Sequence, residues 1–346
     1  MDDLRALGFK PLFQSQCVAH DAALTPCRVV EVQRSGLRVR PALTNFSELP
    51  MAGKWFQLPP DERPTVGDWL LVDPTSGTVE VMLERISAIK RLAPDGEVQL
   101  IAANVDTGFI VTSANQDFSL PRIERYMAAL VQADVQPVVV LTKTDLVDDV
   151  DPFVDELRTL GADLPVETVN ALDPETLSGL RGWCGSGQSI VLLGSSGVGK
   201  STLVNALAGA DLQLTQDARE GDDKGRHTTT HRSLHLLPDG GVILDSPGMR
   251  EFQIAQAEDG LRDIFEDIDA LAAQCRFNDC QHESEPDCAV QAALSSGELD
   301  ERRLESYHKL KREEAYNSES IAERHARHRQ FSKMVKNANS LNHKNR

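Results

Sequence analysis

From about Pro26 to Arg91, apolar and polar positions alternate in short runs: Cys27 to Val32, Leu37 to Arg40, Trp69 to Val72 and Thr78 to Leu83. A period of two predicts half-buried strands, and Arg34-Ser35-Gly36 and Asp73-Pro74-Thr75-Ser76-Gly77 supply hairpin turns between them. Strands at this spacing without helices predict a small OB-type β-barrel, with a plain β-meander as the alternative. After Asp95-Gly96 the rhythm changes. Strand-sized runs at Phe109 to Thr112, Val135 to Leu141, Ser189 to Leu193, Ser233 to Leu237 and Val242 to Leu244 alternate with helix-length segments at Pro121 to Gln132, Pro152 to Leu160 and Lys200 to Leu207. That is a βαβ pattern and predicts a mostly parallel sheet covered on both faces. From Glu258 onward strand signals vanish, and Gly297 to Gln330 is rich in helix formers and charge. The expectation is a multidomain chain: an N-terminal OB-like β-barrel over 1–95, a central α/β domain over 96–255, and a helical domain with a basic tail over 256–346.

A length of 346 residues fits two or three such units, and 40% apolar with 26% charged residues is ordinary for a globular chain. The net charge of −17 predicts a bulk surface that repels nucleic acid and anionic membrane. One segment reverses this: Ile321 to Arg346 carries Arg324, Arg327, Arg329, Lys333, Lys336, Lys344 and Arg346 against Glu323 alone, and leaves −23 on the remainder. Such a tail either touches RNA phosphates or is simply solvated. No run of 18 apolar residues is present, and Met1-Asp2-Asp3 does not open a secretory signal, so no membrane partner and a cytoplasmic location are expected.

Gly194-Ser195-Ser196-Gly197-Val198-Gly199-Lys200-Ser201, with Thr202 behind it, matches the phosphate-binding pattern G-x-x-x-x-G-K-[ST] between an apolar strand and a helix. Its glycines let backbone N–H groups wrap phosphates, Lys200 neutralises the β and γ groups, and the Ser201 hydroxyl suits Mg²⁺. Thr142-Lys143-Thr144-Asp145 follows the buried run Val138 to Leu141. There Asp145 can accept from guanine N1–H and its exocyclic amine, a pair adenine lacks. Asp245-Ser246-Pro247-Gly248 supplies an acid for the water shell of Mg²⁺ and a glycine N–H for the γ-phosphate. Gly225-Arg226-His227-Thr228-Thr229-Thr230 offers a threonine for the metal in a segment able to order around GTP. Each tetrapeptide is common by chance; together they read as a GTPase. Asp145 precedes Lys200, the reverse of the order in Ras-like proteins, which predicts a circular permutation that leaves the site intact because all these loops lie at strand carboxyl ends.

Cys275-x4-Cys280-x-His282-x5-Cys288 places three thiolates and an imidazole within fourteen residues, the ligand set of a closed structural zinc site with no open position for catalysis.

With these motifs in this order, the chain resembles the ribosome small subunit dependent GTPase A family over nearly its whole length. The resemblance implies an rRNA-contacting OB domain, a permuted GTPase and a zinc domain. It implies late maturation of the small ribosomal subunit, with slow hydrolysis of GTP to GDP stimulated by that subunit. Carried over by position, Thr142, Lys143 and Asp145 read the base, Gly194 to Thr202 hold phosphate, Thr229 is the switch threonine holding Mg²⁺ with Ser201, Asp245 to Gly248 form the second switch, and Cys275, Cys280, His282 and Cys288 bind zinc. Met249 follows Gly248 where Ras-like enzymes lead into a water-orienting glutamine, so His227 is the family-based candidate for positioning water, the alternative being a loop histidine or RNA contact.

Thr142 stands where asparagine is usual, which predicts weaker base binding. Asn170 lies in Thr168-Val169-Asn170-Ala171, where a Ser-Ala pair supports the base, and Gly197 replaces the asparagine of potassium-dependent GTPases, so no potassium activation is expected. The leading reading is an enzyme using hydrolysis as a release timer on a ribosomal particle, acting as a monomer. The competitors are an RNA-binding adaptor in which GTP only sets domain arrangement, and a small-molecule kinase, which would need neither Asp145 nor the Asp245 turn.

Overall fold

The structure is a computed structural model. It describes residues 2–33, 36–42, 45–51, 53–93, 96–209, 233–245, 254, 256–318 and 323.

Two helices, α1 (Asp2–Ala6) and α2 (Pro11–Cys17), precede the first strand. Both are too short for a helical period to register in the sequence. They are held by burial: Leu7, Phe9 and Phe13 are buried, and Phe9 meets the Trp69 indole edge-on at 4.8 Å. Five strands follow, β1 (Thr25–Val32), β2 (Gly36–Arg40), β3 (Ser47–Pro50), β4 (Trp69–Val72) and β5 (Val79–Met82), with the short helix α3 (Gly53–Phe56) after β3. They pair antiparallel in the order β3-β2-β1-β4-β5 over a core of Cys27, Val29, Leu37, Val39, Leu49, Trp55, Leu70, Val72 and Val79. Among the described residues no pairing joins β3 to β5, so what is seen is an antiparallel sheet with its own core. A ribbon of β6 (Ala88–Leu92) and β7 (Val98–Ala103) comes next, two antiparallel strands that lie on either side of the expected boundary.

The central sheet contains β8 (Thr107–Ser113), β9 (Gln136–Thr142), β10 (Val166–Thr168), β11 (Ser189–Leu193), β12 (Ser233–Leu236) and β13 (Val242–Asp245). Their order is β10-β9-β8-β11-β13-β12, parallel throughout except for β12. Helices α4 (Leu120–Val131), α5 (Asp151–Arg158), α6 (Ser178–Trp183) and α7 (Lys200–Ala208) connect the strands. Cores lie on both faces: Phe109 and Val111 of β8 join one, Ile110 the other. This is why the central strands are continuous apolar runs. Glu31 of β1 pairs with Ser233 of β12, so the N-terminal sheet extends the central one.

Arg28 locks that junction. Its guanidinium is fully buried and donates to Ser189 Oγ at 2.9 Å, to the carbonyls of Asn104 at 3.0 Å and Gly67 at 3.3 Å, and to that of Leu7. Burial pulls its pKa down to about 10, partly offset by Asp106 and Asp68.

Beyond residue 256 the described residues hold no strand. Helices α8 (Glu258–Ile264), α9 (Glu266–Ala272), α10 (Ala289–Ser296) and α11 (301–318) make up the region. It docks on α4. Gly260 permits the close approach, since a Cβ there would lie 2.1 Å from the carbonyl oxygen of Ala128. Buried Glu124 accepts from Arg302 and Arg303 at 3.2 and 3.3 Å and from the Ser306 hydroxyl, and Arg125 pairs with Glu313 at 2.5 Å.

Candidate functional site

Gly194 to Gly199 link β11 to α7 as a loop at the strand's carboxyl end. Gly194, at φ +151°, passes so near β8 that a Cβ would lie 2.3 Å from the carbonyl oxygen of Val111. The loop ends at Gly199, φ +97°, and Lys200, Ser201 and Thr202 form the first turn of α7, so their amides make up a helix N-terminus. Val198 is buried and anchors the loop, while Ser196 and Gly197 are exposed at its crest. The Lys200 ammonium reaches back across the loop and donates to the carbonyls of Gly194, at 2.8 Å, and Ser195. Amides, a helix end and a lysine so meet at one loop, an arrangement suited to phosphate.

The motif Thr142 to Asp145 emerges from β9, two strands from β11 with β8 between them. Thr142 is buried, and its hydroxyl bonds the carbonyl of Val198 at 2.6 Å and that of Thr112 at 3.0 Å. The structure therefore places the Thr142 side chain against the phosphate loop and β8. Lys143 is left-handed, φ +58°, which turns the chain into a single helical turn over Thr144–Leu146. Asp145 is exposed there and makes no bond to another described residue, leaving its carboxylate available to a base. The neighbouring loop after β10 is set by Asn170, whose side-chain oxygen accepts from the Leu172 amide at 3.0 Å. Asp245 closes β13 with its backbone opposite Ser233, beside β11. His227, Thr229 and Gly248, like the basic segment 324–346, lie outside the described residues.

One feature had no signal in the sequence. Arg122 of α4 donates to Ser195 Oγ at 2.8 Å, a contact between positions 73 residues apart that no motif spacing reveals.

The second site gathers Cys275, Cys280, His282 and Cys288, whose ligand atoms all lie within 4.8 Å of one another. Cys275 and Cys288 Sγ are 3.8 Å apart, and each is 3.6 Å from His282 Nδ1. A tetrahedral ion with bonds of about 2.3 Å to sulfur and 2.0–2.1 Å to nitrogen would separate its ligands by about 3.8 and 3.6 Å. The donor set thus fits a metal ion. Its loop is shaped from outside the ligands: Glu285 accepts from the amides of Gln281, Glu283 and Ser284 at 2.8–3.0 Å, and Gln291 holds the His282 carbonyl at 2.6 Å. These amide bonds draw the Glu285 carboxyl down to about 2.

The model of the RsgA GTPase family matches residues 82–255. A protein of Vibrio parahaemolyticus named small ribosomal subunit biogenesis GTPase RsgA 2 is 48% identical over 340 residues, covering 97% of this chain and 93% of that one. One of Mesorhizobium japonicum, small ribosomal subunit biogenesis GTPase RsgA, is 44% identical over 324 residues, covering 91% of each. Among solved structures, YjeQ from Thermotoga maritima aligns with a TM-score of 0.61 at 26% identity, covering 83% of this chain and 97% of that one. YloQ, described as a circularly permuted GTPase, aligns at 0.59 and 24% identity, covering 84% and 94%, and speaks for the fold alone.

Proposed function

Since this chain belongs to the RsgA family, GTPases of small ribosomal subunit biogenesis, we propose that it hydrolyses GTP at the phosphate loop Gly194 to Ser201 and that the small subunit and its rRNA stimulate turnover. The observation that carries this reading is the joining of two loops from distant parts of the chain: the Thr142 hydroxyl on the Val198 carbonyl brings the segment bearing Asp145 against the phosphate loop.

In this mechanism the amides of the loop and of the first turn of α7 hold the phosphates, and Lys200 leaves its loop carbonyls to neutralise the β and γ groups. Asp145 accepts from guanine while the Lys143 stem lies along the base. Ser201 and Thr229 would hold Mg²⁺, with Asp245 in its water shell. When bound, Mg²⁺ offsets charge on the β and γ oxygens. Gly248 donates its N–H to the γ-phosphate, and His227 orients the attacking water. Water adds to γ-phosphorus as its bond to the β–γ bridging oxygen breaks, giving GDP and phosphate.

The Cys275, Cys280, His282 and Cys288 site takes zinc in a structural role, in keeping with three sulfur donors and an imidazole gathered within 4.8 Å, two of the sulfurs at tetrahedral separation. Contact of the N-terminal sheet with rRNA is supported by Phe46, exposed between the guanidiniums of Arg38 at 4.2 Å and Arg40 at 3.9 Å, a ring and two cations suited to bases and phosphates. No described helix is long and apolar enough to cross a membrane, in keeping with a cytoplasmic setting.

The test is GTP turnover by the purified chain with and without small ribosomal subunits, with large subunits and ATP as controls. GTP-specific stimulation by small subunits alone is expected; binding to the subunit without stimulation would replace the timer with the adaptor reading. His227→Ala should keep GTP binding and lose stimulation, and full stimulation in that variant would assign the water to another group.

A further inference from the structure

Helix α4 turns one face toward the phosphate loop. Arg122 Nη1 donates to Ser195 Oγ at 2.8 Å, and the carbonyl of Asp117 at 3.2 Å steadies the same nitrogen. One turn on, Tyr126 is buried on the same helix. Ser195 is therefore held twice: from α4 through its side chain, and from α7 through its carbonyl, which accepts from Lys200. No carboxylate among the described residues pairs with Arg122, which sets a cation beside the phosphate loop. The other faces of α4 are committed elsewhere, Glu124 and Arg125 to the C-terminal helices. A rigid, doubly packed helix thus presents one arginine to the loop.

We propose that Arg122 is a positioning residue for GTP, holding the phosphate loop in its binding shape through Ser195 Oγ. The proposal rests on the reading of Gly194 to Ser201 as the GTP phosphate site. Arg122 reaches the nucleotide through the serine, and the loop grips the phosphates before and during hydrolysis alike. Its loss therefore weakens binding and leaves the chemical step.

The experiment measures GTP and GDP affinity by fluorescence titration, with steady-state turnover, for the full chain and for Arg122→Ala, Arg122→Lys, Ser195→Ala and the double variant Arg122→Ala/Ser195→Ala. Loss of one charge-assisted hydrogen bond predicts that each alanine variant raises Kd and KM about tenfold, with kcat within about twofold. The double variant should be no worse than the weaker single, because both remove the same contact. Arg122→Lys, which retains a cationic donor, should recover most of the affinity, and thermal midpoints without nucleotide should stay close to that of the parent chain. Unchanged affinity in both single variants would overturn the proposal, as would losses that add in the double variant. A fall in kcat with KM unchanged would overturn it too, since the arginine would then act on the transition state. Failure of the parent chain to bind GTP would remove the phosphate-site reading and the proposal with it.

Discussion

The Thr142 hydroxyl meets the Val198 carbonyl at 2.6 Å, fastening the strand that leads to Asp145 onto the loop that leads to Lys200. A threonine in a position where an amide is usual thus serves the phosphate loop. Thr142→Ala removes a buried contact, with an expected stability cost of about 1 kcal/mol and a few-fold loss of GTP affinity. Thr142→Asn, able to reach both loop and base, should bind GTP at least as tightly as the parent. Thermal unfolding and nucleotide titration of the pair check this, and unchanged affinity in the alanine variant would separate the two loops functionally.

Asp145 makes no bond to another described residue, so substitution there should leave the fold untouched and change only base choice. Asp145→Asn replaces an acceptor by a carboxamide, and GTP affinity should fall about ten- to hundredfold, the range of one or more hydrogen bonds to a charged group. Affinity for xanthosine triphosphate, which presents a carbonyl where guanine has its amine, should rise. Competition binding among GTP, XTP and ATP reads the outcome.

Arg28 ties Leu7, Gly67, Asn104 and Ser189 together in a buried pocket. Arg28→Ala leaves these acceptors short of a donor and opens a cavity, with an expected cost of about 3 kcal/mol or more. Since the contacts bridge the N-terminal sheet and β11, hydrogen exchange should rise on both sides of the junction together. Protection lost only in residues 2–17 would mean that the bridge carries little of the coupling.

Glu124 is buried against Arg302, Arg303 and Ser306. Glu124→Ala takes one carboxylate from Arg303, which keeps Asp267, and leaves the half-exposed Arg302 without its partner, so it should cost about 1–2 kcal/mol of docking between α4 and α11. Limited proteolysis should then cut the region after residue 256 faster, while GTP affinity, set on another face of α4, stays near that of the parent.

Metal removal should act on the same region from its far side. Chelation, or acid sufficient to protonate the thiolates, is expected to raise hydrogen exchange across 272–291 before GTP binding weakens. Unaltered stability after complete metal loss would exclude a structural role.

Motif chemistry is local, and so it was legible along the chain. Phosphate binding needs glycines, a lysine and a serine at fixed spacing on a strand–loop–helix unit, and metal binding needs four donors within a short loop. Gly194 to Ser201 and Cys275 to Cys288 could be named from residue types alone. The strands β1, β2, β4 and β5, and β8, β9, β11, β12 and β13, were readable because burial on one or two faces imposes a period of two or a continuous apolar run, whereas β10, three residues without a buried one, and the six-residue α6 were not. Helices α1 and α2 were not, being under two turns long and held by packing on Trp69; nor was the ribbon β6–β7, whose strands bury their positions without clean alternation. The burial of Arg28, the turning of Thr142 toward Val198 and the reach of Arg122 to Ser195 join positions 56 to 161 residues apart. Those contacts depend on which strands lie side by side, and a hydrogen bond between distant segments leaves no period or spacing in either one. Residue order specifies the groups able to do chemistry; chain packing selects their partners.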